Sequence, residues 1–233
     1  MTHPDRVLSR CGCVVERHTS GLLRNTYRCG WHQEEVRRNP SDSAQHYVDL
    51  GAIGLNGVPQ HRKYINELVE ALWEMGIDVP RGDGRRVVEI GAGLGMYAPL
   101  FLGRGYRYEA VEPVPYAAEW VRSTFNVEVH EVRWGEWYPA DGPIAGVMAA
   151  HVIEHLDDAP SALATIASWL DSDGVLFMIV PDDQDLWNPE HLWFGDEAAW
   201  RRVIEAAGLG RVRCATRRRI ERESFLYFVA ERP

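Results

Sequence analysis

Two acids, three glycines and three histidines carry most of the chemistry this sequence can do. Glu89-Ile90-Gly91-Ala92-Gly93-Leu94-Gly95 reads E-x-G-x-G-x-G, and Glu112 lies 21 residues after Gly91. Glycines at that spacing let bare backbone and a helix N-terminus meet a ligand. The pattern departs from the dinucleotide fingerprint, because Met96 stands where a third small residue would let helix and strand pack closely. Glu89, two residues ahead of the first glycine, suits a cationic ligand group better than a pyrophosphate. Glu112, read at the tip of a second strand, can accept hydrogen bonds from both hydroxyls of a ribose. The pair fits a nucleoside with a cationic tail.

The second cluster is His151-Val152-Ile153-Glu154-His155-Leu156. A helical turn here would set the rings of His151 and His155 on one side with Glu154 between them, as a general base or a divalent-metal site would require. His191 stands in Asn188-Pro189-Glu190-His191-Leu192-Trp193-Phe194, on a long segment rich in Trp, His and Asp. Aromatic side chains on such a loop line a pocket more readily than they face water. His191 is therefore the candidate to meet an acceptor; a loop histidine capped by a backbone carbonyl is the plainer alternative.

These residues need a frame. Val87 to Ile90 is a β-branched apolar run, as in a strand buried on both faces, and Met96 to Leu102 reads as helix. Tyr108 to Glu112 is a second strand, Pro115 to Phe125 an amphipathic helix and Val127 to Val132 a third strand. Ile144 to Ala150, small and apolar, is a fourth strand that delivers His151 to the carboxyl edge, where open α/β sheets place their ligands. Ser161 to Leu170 is helical and Val175 to Val180 a fifth strand. A helix over Asp196 to Ala207 is closed by Gly208, and Arg211 to Arg219 with Ser224 to Ala230 read as a final pair of strands. The arginines among them suit a solvated edge strand protected by charge. Alternating strands and helices predict a Rossmann-like, doubly wound α/β sheet.

With these motifs in this order, residues 85–232 resemble the class I S-adenosylmethionine-dependent methyltransferases. HVIEHL (His151 to Leu156) and LDSDGVLFMIVP (Leu170 to Pro181) resemble segments of the branch acting on small molecules. The resemblance implies seven strands, mostly parallel, with the last inserted antiparallel. It implies S-adenosyl-L-methionine as cofactor, held by Glu89, Gly91, Gly93, Gly95 and Glu112. The turn after the third strand would lie over the adenine, through Arg133 or through stacking by Trp134. One of His191, His151 and His155 would serve as general base. The acceptor would be a small molecule such as a sugar or a secondary-metabolite intermediate. A nicotinamide-dependent oxidoreductase and a non-catalytic cofactor-binding module are the alternatives.

Ahead of this domain (residues 81–233), residues 1–45 hold three of the four cysteines. Cys11, Cys13, Cys29 and His32 are spaced as two tight knuckles for a tetrahedral structural zinc; a reduced, apolar-packed cysteine cluster is the alternative. Residues 46–80 carry a helix, His61 to Met75, that in the resembled family belongs to a lid. A formal net charge of −9 argues against nucleic acid as a partner. No apolar run approaches bilayer length and the N-terminus has no signal-peptide core, so a cytoplasmic enzyme is expected.

Overall fold

A computed structural model describes residues 6–8, 13–28, 33, 58–140, 142, 144–182, 190–220 and 223–233. Its centre is a seven-stranded sheet. Strands are numbered along the chain: β1 (Arg6–Leu8), β2 (Val14–Arg17), β3 (Leu23–Tyr27), β4 (Arg86–Ile90), β5 (Arg107–Val111), β6 (Glu128–His130), β7 (Ile144–Ala150), β8 (Leu170–Pro181), β9 (Trp193–Phe194), β10 (Gly210–Ile220) and β11 (Glu223–Glu231). The large sheet runs β10-β11-β8-β7-β4-β5-β6. Strands β4 to β8 pair in parallel, whereas β11 is antiparallel to both of its neighbours, β10 and β8. This is the Rossmann-like arrangement the alternation of strands and helices predicted.

The β-branched run in β4 explains why it lies centrally. Val88 and Ile90 point into one apolar layer and Val87 into the other, all at most 2% exposed. The flanking helices are α1 (Val58–Glu74), α2 (Ala98–Gly103), α3 (Pro115–Phe125), α4 (Ala159–Trp169) and α5 (Glu197–Ala206). Asp158 and Asp196 cap α4 and α5, their carboxylates accepting the N–H groups of Ser161 and Ala199. The helix after the glycine turn starts two residues later than its apolar pattern suggested. Met96 and Tyr97 extend the turn, and Pro99 sits in the first positions of α2, where its missing N–H is harmless. The third strand is likewise shorter than expected, only Glu128–His130, at the sheet edge.

The N-terminal strands have a partner far along the chain. β1, β2 and β3 form an antiparallel sheet whose fourth member is β9, with Leu23 opposite Phe194 and Arg24 opposite Trp193. Among the expected zinc ligands, Cys13 is buried just ahead of β2; Cys11, Cys29 and His32 lie outside the described residues. So do residues 34–57 and most of the Trp-rich loop, residues 183–189. Among the described residues no helix is long and apolar enough to cross a membrane.

Candidate active site

The glycine turn joins β4 to α2 with Gly91 at φ +62° and Gly93 at φ +54°, a region that costs an L-residue with a side chain dearly. A Cβ on Gly91 would come within 2.4 Å of Val152 Cγ2, so this turn and the one after β7 touch. Glu112 fixes the loop from below. One carboxylate oxygen accepts the Gly93 N–H at 2.8 Å and the other the Val114 N–H at 2.9 Å, at the entry to α3. Glu89 occupies a different environment. It is 2% exposed, takes the Tyr108 hydroxyl hydrogen at 2.5 Å, and burial pushes its carboxyl up to about 8.

A cavity of about 710 Å³ opens at this edge. Gly91, Val111, Pro113, Arg133 and Trp134 line one side, and Val152, His155 and Ser161 another. Trp134 stands 5.5 Å from Trp169, ring centre to ring centre, and Trp137 meets Trp169 edge-on at the same distance, making an aromatic wall. The donor set suits a nucleoside carrying a positive charge: bare backbone at Gly91, an acid behind the loop, and a flat indole along the wall. Gly93, Gly95, Glu89 and Glu112 support this edge without lining the cavity. Gly95 lets the turn press on α3, since a Cβ there would meet Phe125 Cε2 at 2.9 Å.

The histidine turn is not the helix its spacing suggested. His151 takes φ +56° at the end of β7, and a single 3₁₀ turn covers Ile153–His155. The rings of His151 and His155 therefore diverge: His151 packs edge-on to Phe225 at 4.8 Å, whereas His155 stands 4.8 Å from His191. Glu154 lies between them, 0% exposed, with an oxygen 3.5 Å from His151 Nδ1. Burial pushes the Glu154 carboxyl up, but His151, His155 and His191 around it outweigh that and hold it below the usual carboxylate range. His191 is 5% exposed and does not line the cavity; burial drives its imidazole down to about 4, leaving it neutral.

The turn is stitched to the N-terminal sheet. Leu192 N–H donates to the Glu154 carbonyl at 2.8 Å and Trp193 Nε1 to the Leu156 carbonyl at 2.7 Å. Arg24 lies over the Trp193 ring at 5.2 Å and donates to the Asp157 carbonyl at 3.1 Å. Arg28, held by the Glu190 carbonyl at 3.0 Å, reaches the cavity wall. Sequence reasoning did not find Arg24 or Arg28, because nothing local announces that β3 pairs with β9. Tyr138, also on the wall, could have been suspected from the aromatic run Trp134 to Tyr138, whereas Trp169, at the end of α4, stands outside that run.

Residues 60–213 match a family model described as a methyltransferase domain. A sequence comparison with curated proteins gives no match. Among solved structures, 1,6-didemethyltoxoflavin N1-methyltransferase of Burkholderia thailandensis, with 1,6-didemethyltoxoflavin and S-adenosylhomocysteine bound, aligns at a TM-score of 0.62 and 17% identity, covering 98% of this chain and 99% of that one. The N-methyltransferase NodS of Bradyrhizobium japonicum WM9, in complex with S-adenosylhomocysteine, aligns at 0.59 and 16% identity, covering 74% and 87%. At these identities the likeness is one of fold. The family model spans most of the chain, and the sheet order, the inserted antiparallel strand and the glycine turn agree with it. The chain belongs to the class I S-adenosylmethionine-dependent methyltransferases.

Proposed function

We propose that this chain is a cytoplasmic enzyme that transfers a methyl group from S-adenosylmethionine to a small-molecule acceptor, such as a sugar or secondary-metabolite intermediate. The observation that carries the reading is the contact of the two turns, which sets the Glu112-pinned glycine loop against Val152, one residue from His151. Bound S-adenosylmethionine supplies an electrophilic methyl group. The protein's part is then to hold donor and acceptor in line and to exclude water. Gly91, Arg133 and Trp134 would hold the nucleoside, with Glu112 fixing the loop. Two relatives in fold, one with a small heterocycle bound and both with S-adenosylhomocysteine, support the reading by analogy.

Of the three histidines, His151 is the proposed base. It ends the central strand at φ +56°, a strained backbone for a residue with a side chain, and Glu154 faces its Nδ1, leaving the buried Nε2, which has no hydrogen-bond partner among the described residues, as the proton acceptor. His151→Ala should lower kcat about 100-fold with S-adenosylhomocysteine affinity unchanged, the lower end of what a positioned base contributes. Equal loss of turnover and affinity would reduce His151 to a structural part.

Calorimetric titration with S-adenosylhomocysteine, and with NAD for comparison, tests the assignment. Micromolar binding of the first alone is expected; binding of NAD would favour an oxidoreductase, and binding without turnover across acceptors a non-catalytic module. The zinc reading for Cys11, Cys13, Cys29 and His32 is tested separately. Cys29→Ser should contain one equivalent of zinc less than the parent chain, and equal content would reject it.

A further inference from the structure

Glu154, His155 and His191 each offer one ligand atom, and these atoms lie within 4.8 Å of one another. Neither Glu154 oxygen has a hydrogen-bond partner among the described residues, nor has His191 Nδ1. A carboxylate removed from water is ordinarily hydrogen-bonded or paired, and this one is wholly buried. A carboxylate beside two imidazoles, one of them with an unpartnered Nδ1, is a donor set for a divalent ion of intermediate softness. The backbone is already in place, because the bonds from Leu192 and Trp193 fix the Glu154 turn against the segment bearing His191. Donors bound at about 2.0–2.1 Å from a tetrahedral ion sit roughly 3.4 Å apart, so binding would draw these three together from the observed spacing.

We propose that Glu154, His155 and His191 bind a divalent transition-metal cation, with the ion's open side toward the cavity that His155 lines. His151, 3.5 Å from a Glu154 oxygen, then braces the carboxylate from outside and keeps its own Nε2 free. The second such group, Glu109 with Glu128 and His130, carries no comparable case. Arg86 grips both Glu109 oxygens at 2.8 and 2.9 Å and Arg107 takes one of them at 2.7 Å, so that carboxylate is already neutralised.

The site does not depend on the methyl-transfer reading, and its test needs no cofactor. Metal-stripped full-length protein is dialysed to equilibrium against Co²⁺, and bound cobalt is counted per chain. His191→Ala and the milder His155→Gln, at a partly exposed position, are each expected to bind one equivalent less than wild type at a Co²⁺ concentration that saturates it. His130→Ala is expected to match wild type. Counting by difference keeps any cobalt on the N-terminal cysteines out of the result. A wild-type chain that binds no cobalt overturns the proposal, as does a folded His155→Gln variant that binds as much as wild type.

Discussion

Glu112→Ala is expected to weaken S-adenosylhomocysteine binding about 1,000-fold and to lower the melting temperature by roughly 5–15 °C. The carboxylate is 1% exposed and is the acceptor for two backbone amides, one in the glycine turn and one at the start of α3. Alanine leaves both donors without that acceptor, at about 1–3 kcal/mol each, and removes two bonds strengthened by the anionic charge. The affinity falls further because the loop that must present bare backbone is no longer held. Glu112→Gln should fall between, since its amide group can accept from only one of the two donors. Scanning calorimetry and ligand titration read the two effects apart. A lowered melting temperature with unchanged affinity would restrict Glu112 to bracing the loop, and no change in either would refute the role.

Glu89 should make the protein less stable as the solution becomes more alkaline. Its folded-state carboxyl is pushed up to about 8 by burial, with Glu112 adding to the rise and the Tyr108 hydroxyl opposing it, against 4.5 when exposed. Between those values the folded chain holds a proton that the unfolded chain has released. Stability from this group is therefore full at about pH 4.5 and below, and is lost as pH rises toward 8, by on the order of 4 kcal/mol. Glu89→Gln keeps an acceptor for Tyr108 but cannot ionise. The variant should melt higher than the parent at pH 8 and show a flatter profile from pH 5 to 8. Parallel profiles for the two proteins would mean that Glu89 does not titrate in this window.

Much of the frame was legible because local rules and tertiary placement agree there. The apolar run of β4, the glycines at positive φ and the small residues of β7 have one physical reading each, so strand, turn and carboxyl edge followed from the order and spacing of the residues. The histidines show where legibility stops. The four-residue spacing of His151 and His155 suggested a helical face, but the left-handed backbone at His151 turns its ring toward Phe225, and no sequence pattern marks that residue as left-handed. His191 was expected to face an acceptor because it follows a polar, aromatic loop. It is buried because Trp193 and Phe194, two and three residues on, form a strand only two residues long. A strand that short is invisible as periodicity, and its partner β3 lies in a segment whose cysteines suggested a separate appendage.

That pairing also sets an order of events in time. β3 meets β9 across roughly 170 residues of chain, which at ribosomal rates of about 5–20 residues per second is a delay on the order of 10–30 s. Throughout it, β3 presents an unpaired strand edge. The bonds that clamp the Glu154 turn come from the same late segment, so that turn can be fixed in place only once β9 has been made.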